Sequence, residues 1–245
     1  MTRKHRLLLF FIGAIGAGFV YCAGASNMPP WAQYRGPYGD VIAGLAVFQR
    51  HATDTVNAIT YDYRGFDTLG EEFILFTSVL GVMLLLRDPK RSRRPAWPDI
   101  GLSIATKLTA AGSFFALLVF GLYISTHGQL SPGGGFQGGV ILATGSMLIY
   151  IAEDFAVFKR ITSHPAVEGL DALGAGAYAL LGLVPLFLAA PFLTNWIALG
   201  TTGNVFSSGT IAAISACVGL EVTAAFLLLG YTYLEDIVSE GAEES

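Results

Sequence analysis

Apolar positions in this chain run in long blocks rather than at amphipathic spacing. Six blocks stand out, at approximately Leu7–Ala25, Leu69–Arg87, Ser103–Thr126, Phe136–Phe155, Leu170–Leu193 and Val205–Leu234. Each is near the roughly 20 residues that a helix needs to cross the hydrocarbon core of a bilayer. The pattern predicts an all-α integral membrane protein with about six transmembrane helices. Arg3, Lys4 and Arg6 precede the first block as they would in a signal peptide. The apolar run is long for one, so it is read as a retained span. Between the first two blocks, Val41, Leu45, Phe48, Ala52, Val56 and Ile59 recur at three- and four-residue intervals. That spacing predicts a helix with one apolar stripe, and Trp31, Tyr34 and Tyr38 ahead of it suit the headgroup level.

Composition agrees with the blocks. Of the 245 residues 53% are hydrophobic and 13% charged, where a soluble domain carries about 25% charged residues. The net charge of −4 comes with no basic patch, so a nucleic-acid partner is not expected. Cys22 and Cys217 both lie in apolar blocks and form neither a disulfide framework nor a metal spacing. Lys and Arg set the orientation. Arg3, Lys4, Arg6, then Arg87, Lys90, Arg91, Arg93, Arg94 and Lys107, then Lys159 and Arg160 fall on one side, against Arg35, Arg50 and Arg64 on the other. Both termini are therefore expected in the cytoplasm. The charged, proline-flanked stretch Arg87–Pro95 reads as a joint between a two-span module, residues 1–95, and a four-span module, residues 96–234. Residues 235–245 form an acidic cytoplasmic tail.

Five features are candidates for chemistry. Ser131-Pro132-Gly133-Gly134-Gly135-Phe136-Gln137-Gly138-Gly139 lies between two spans. Glycine and proline cost about 1 and about 3 kcal/mol in a helix interior, and irregular backbone at membrane depth survives only where protein or a water-filled cavity covers it. The run is thus a helix-entry loop, with Pro132 placed for a helix start and free N–H groups for a polar partner. Its formal GxGxxG spacing is not a dinucleotide site, because no strand precedes it. Asp67-Thr68-Leu69-Gly70-Glu71-Glu72 enters the second span. Asp67 and Thr68 either cap a helix with Glu71 in its first turn or, like Glu71, serve function, since acidic groups entering a membrane helix are costly. Glu221 sits in the middle of the last span, either for function or for a structural hydrogen bond. Lys107 and Glu153-Asp154 lie near two helix ends that meet if their helices are antiparallel, where they either pair or snorkel. His127 is either structural or part of a proton relay. No nucleophile triad, metal spacing or haem motif is present.

Two of these segments resemble known proteins. Gly128-Gln129-Leu130-Ser131-Pro132-Gly133-Gly134-Gly135-Phe136-Gln137-Gly138-Gly139 is similar to the signature loop of the MrpB/MnhB subunit of multisubunit cation/proton antiporters, and of the related subunit of membrane-bound hydrogenases. Tyr63-Arg64-Gly65-Phe66-Asp67-Thr68-Leu69-Gly70-Glu71 resembles a two-helix segment at the C-terminus of the antiporter A subunit, which is a separate small subunit in those hydrogenases. Many relatives have Gly-His where this chain has Gly128-Gln129. The resemblance implies a non-enzymatic, cofactor-free multi-pass subunit of the cell membrane, with antiporter subunits of the A, C, D, E, F and G type as partners and Na+ and H+ as the transported ions. It implies a scaffold and one wall of a sodium pathway, with Asp67, Glu71 and Glu221 as carboxylate candidates, Glu72, Lys107, His127, Glu153 and Asp154 behind them, and Pro132 and Phe136 important in the loop. A sodium-translocating membrane arm of a redox complex, or a plain scaffold, are the other readings.

Overall fold

The computed structural model describes residues 3–28, 36–86, 103–153, 158 and 162–241, the side chains at 3, 6, 151–153 and 235–241 excepted. Every regular element among them is helical. The order is α1 (Arg3–Ser26), α2 (Pro37–Arg50), the single turn α3 (Thr55–Ala58), a π-helical turn (Ile59–Tyr63), α4 (Gly65–Leu86), α5 (Ile104–Thr126), α6 (Gly135–Glu153), α7 (His164–Phe187) and α8 (Thr210–Gly241). Five helices are long and apolar enough to cross a membrane, and α6 offers a shorter apolar stretch, Gly135–Tyr150. The expected fourth block continues beyond the described residues, as do the basic stretch Arg87–Pro95, Trp31, Tyr34, Lys159, Arg160 and the side chains of the acidic tail.

The chain forms two compact units, Met1–Asp40 and Val41–Ser245. In the first, α1 closes with Asn27, whose side-chain amide donates to the Ala23 carbonyl at 2.7 Å beside the Ser26 hydroxyl at 3.0 Å. In the second, α8 is the hub. It packs on α4, α5, α6 and α7, and 61% of its apolar window is buried against 17% for α4 and for α5.

Start and stop signals account for most boundaries. The Ser103 hydroxyl accepts from the Thr106 N–H and opens α5. Ser163 in extended conformation with Pro165 just inside opens α7. The Asn195 side-chain oxygen accepts the Thr210 N–H at 2.9 Å and opens α8. Two expectations are corrected here. The predicted stripe is not one helix, because α2 stops at Arg50, His51 takes φ of 52°, and Asp54 caps a new turn by accepting from the Val56 N–H at 2.9 Å. The side chains turned into the core are Ile42, Ala46, Ala52 and Ala58, whereas Val41, Phe48 and Val56 face outward. Nor does Asp67 cap α4. The helix begins at Gly65, two residues before it, so Asp67 falls in the first turn.

The α5–α6–α8 core depends on missing side chains. A Cβ on Gly135 would lie 2.6 Å from Val218 Cβ and 2.7 Å from the Gly219 nitrogen on α8. One on Gly139 would lie 2.9 Å from the Gly219 carbonyl, and one on Gly138 would lie 2.7 Å from the Gly121 carbonyl on α5. Gly135 and Gly139, one turn apart, admit α8, while Gly138 admits α5. This is the small-residue contact by which membrane helices approach closely. Because the obstacles are backbone atoms, Gly138→Ala is expected to destabilise the bundle by about 1–3 kcal/mol, the usual range for overpacking. Gly70→Ala, where nothing lies within 4 Å, is expected to be neutral or stabilising. Thermal unfolding of the detergent-solubilised protein checks the pair, and equal melting of the two variants would refute this account.

Candidate functional site: a buried carboxylate cluster under the glycine loop

The loop between α5 and α6 is held from several parts of the chain. Gly133 and Gly134 adopt φ of 154° and 132°, conformations open to glycine without strain. Gly134 donates to the Ile124 carbonyl at 3.2 Å, and the Asn57 side chain donates to the Gly133 carbonyl at 2.9 Å. The Gln129 carbonyl accepts the Thr53 and Asp54 N–H groups at 3.0 and 3.1 Å, and its side-chain amide donates to the Val205 carbonyl at 2.6 Å. The free N–H expected at the helix entry belongs to Gly135, and it donates to the Tyr61 hydroxyl at 3.1 Å. Burial pushes that hydroxyl above its ordinary range, so it stays a neutral phenol. Pro132 is exposed and lies three residues before α6 starts, so it does not open the helix. Phe136 packs against the buried cluster around Tyr61 and Val218.

Behind Tyr61 the chain buries three carboxyl groups. Glu72 on α4 and Glu221 on α8 are each 0% exposed, and Asp171 on α7 is 2% exposed. The Glu72 and Glu221 carboxyls face each other closely enough to share a proton, and Asp171 and Cys217 lie within electrostatic reach of the pair. Neither oxygen of Glu72 or Glu221 has a hydrogen-bond donor, and Oδ1 of Asp171 has none either. Close packing brings them together. A Cβ on Gly174 of α7 would lie 2.6 Å from Glu221 Cβ, and the Tyr178 hydroxyl ties α7 to α4 by donating to the Gly65 carbonyl at 2.8 Å. Burying an ionised carboxyl without a partner costs several kcal/mol, so three of them in one core constitute a strong local demand for a proton, a cation or water. Among the described residues no group of three His, Cys, Asp or Glu could hold a metal ion.

The sequence candidates divide. Glu221 lies inside the cluster as a buried mid-helix carboxyl, opposite Glu72 of α4. Glu71 does not join it. Consecutive residues on a helix point about 100° apart, and on α4 the inward face carries Gly65, Thr68, Leu69, Glu72 and Val79, so Glu71 faces outward and Glu72 inward. Asp67 pairs at the exposed mouth with Arg64, whose Nε donates to Oδ2 at 2.7 Å. His127 ends α5, stacks on Tyr123 with ring centres 4.7 Å apart, and lies 3.2 Å from the Ser131 hydroxyl. It thus holds the loop. Lys107 is half-buried in the first turn of α5. Asp154 and the side chain of Glu153 lie outside the described residues.

Two buried or paired carboxyls escaped the sequence reading. Asp171 lay at the edge of the expected fifth block. The helix starts six residues earlier, at His164, which sets Asp171 two turns inside; Ser163 and Pro165 were the available signal. Asp62 accepts from Arg50 Nε at 2.6 Å and from the Asn195 side chain at 2.9 Å, fastening the π-helical turn to the segment between α7 and α8. No local pattern marked that pairing.

This fold recurs elsewhere. The membrane-bound sulfane sulfur reductase, an archaeal respiratory membrane complex, contains a chain 28% identical, with a TM-score of 0.70 over 94% of this chain and 98% of that one. A chain of the Mrp complex from Dietzia sp. DQ12-45-1b, 23% identical, shares the fold with a TM-score of 0.66 over 93% of this chain and 26% of that one. An uncharacterised protein of Methanocaldococcus jannaschii is 29% identical over 216 residues, 77% of this chain and 82% of its own. A Staphylococcus aureus (strain Newman) protein with the provisional name antiporter subunit mnhB2 is 34% identical over 143 residues, 54% of this chain and 95% of its own. The family model described as a domain related to the MnhB subunit of Na+/H+ antiporter matches residues 105–228, which hold the glycine loop, Asp171 and Glu221. With just over half its length in that match, this multi-pass membrane chain belongs to the MnhB family.

Proposed function

We infer that this chain is a subunit of a multisubunit Na+/H+ antiporter of the cell membrane, that it carries out no reaction of its own, and that the Glu72–Glu221 pair is its contribution to ion movement. The observation that carries this reading is a pair of facing, fully buried carboxyls on two membrane helices with no donor of their own. With one proton between them, one carboxyl donates and the other accepts. When the proton leaves, the site again needs positive charge. That exchange is what linking protons to Na+ requires, and intramembrane carboxyls are the usual place for it. Neighbouring antiporter subunits would hold the long proton-conducting parts. Glu71, outward on α4, and Asp67 at its mouth lie where another subunit would meet this chain. Residues 1–95 would then be the A-subunit-like module and residues 96–234 the B-type module.

A second reading has its own support. The likeness to the sulfane sulfur reductase chain spans 98% of that chain, which favours a membrane arm driven by a redox module. Electron paramagnetic resonance of the purified complex separates the two: reduced iron–sulfur signals favour the redox-driven arm, and their absence from an intact complex favours antiport.

The pair itself is tested by Na+-dependent proton movement in inverted vesicles holding the whole complex. Glu72→Gln and Glu221→Gln supply an amide donor to the remaining carboxyl, so assembly is expected to persist while transport falls about a hundredfold, the lower bound for losing a proton-transferring group. Wild-type transport in both, with loss confined to Glu71→Gln, would move the path to the outer face of α4 and refute the pair.

A further inference from the structure

The cluster has a third carboxyl that the pair does not require, and it points along a different helix. Asp171 is 2% exposed and its Oδ1 has no partner. Glu221 on α8 and Glu72 on α4 lie within electrostatic reach of it, and no described Lys or Arg pairs with any of the three. Gly174 fixes the level at which α7 touches Glu221. Asp171 is three residues nearer the start of α7, about 4.5 Å further from the glycine loop along the helix axis. The same face continues. Glu168 is one turn on and half-exposed, and its Oε1 lies 3.3 Å from Nδ1 of His164 at the end of α7. The imidazole packs edge-on against Tyr231 of α8, ring centres 4.9 Å apart.

We propose that α7 carries a proton route within this single chain, from the Glu72–Glu221 pair through Asp171 to Glu168 and His164 at the helix end away from the glycine loop. The route rests on the reading of the pair as a proton-exchanging site. Each step moves one proton from a carboxylic acid to a neighbouring carboxylate or imidazole, so no other reactant is needed. Residues three apart on a helix share a face, with Cβ atoms about 5–6 Å apart, a gap that one bridging water spans. The orphaned Oδ1 of Asp171 offers such a water a buried acceptor, which an ordinary helix-packing residue at this position would not.

The test uses the whole complex in liposomes, with Na+-linked proton movement followed by a pH-sensitive dye. Asp171→Asn, Asp171→Glu, Glu168→Gln and Glu221→Gln are compared at matched assembly. Asp171→Asn is expected to lower proton movement about a hundredfold, Asp171→Glu to retain most of it, and Glu168→Gln to slow it. Dicyclohexylcarbodiimide, which reacts with protonated carboxyls in apolar sites, is expected to label Glu72 or Glu221 in Asp171→Asn as in wild type, because the pair is untouched. Wild-type rates in Asp171→Asn beside loss in Glu221→Gln would overturn the α7 route and leave the pair standing. Wild-type rates in both would remove the pair as well. Should Asp171→Asn fail to assemble, Glu168→Gln decides at a half-exposed position, and an unchanged rate there overturns the route.

Discussion

The constraint on which everything else depends is the distance between backbones. The α5, α6 and α8 backbones approach more closely than side chains allow, because Gly121, Gly135, Gly138, Gly139 and Gly219 leave the contact bare. Lipid tails are as apolar as leucine, so helices in a bilayer gain nothing from hiding apolar surface from water and associate through packing and polar contacts. The glycine loop is therefore the entry to a helix that could not otherwise fit between its neighbours. Its irregular backbone is tolerated because Asn57, Tyr61 and the segment before α8 supply the hydrogen bonds that water would supply elsewhere.

Close approach also makes the carboxylate cluster possible. Gly174 brings α7 against α8 at Glu221, and the Tyr178 hydroxyl fixes α4 to α7 at the Gly65 carbonyl. Glu72, Asp171 and Glu221 thus meet from three helices with no cation among them. The arrangement gives up stability locally, since buried carboxyls without donors are costly. At the mouth, by contrast, Asp62 and Asp67 each have an arginine partner.

Much of this was legible in the sequence. The helical membrane class followed from length and apolarity alone, since those blocks have few other outcomes in water or lipid. The glycine loop could be located, and Glu221 stood out because one charge in an apolar block is conspicuous. What could not be read was rotation. A span that is apolar all round carries no amphipathic signal, so Glu71 stood ahead of Glu72 as a candidate, whereas packing turns Glu72 inward. Asp171 was hidden by a boundary placed six residues late. The apolar stripe from Val41 to Ile59 misled for a related reason. In a membrane protein the larger apolar side chains are free to face out, and the small Ala46, Ala52 and Ala58 fill the core.

The origin of the three carboxyls in three separate helices bears on how the chain matures. Each helix inserts on its own before the bundle packs. At that stage Glu72, Asp171 and Glu221 have no cluster to enter, and each charged form faces hydrocarbon at about 2.5–3.5 kcal/mol. Only when α4, α7 and α8 are all in place do the three leave the lipid, and only then can Glu72 and Glu221 hold one proton between them. Three acidic groups on separate helices therefore act as a built-in checkpoint, making a half-packed chain a poor resident of the bilayer and a ready substrate for membrane quality control.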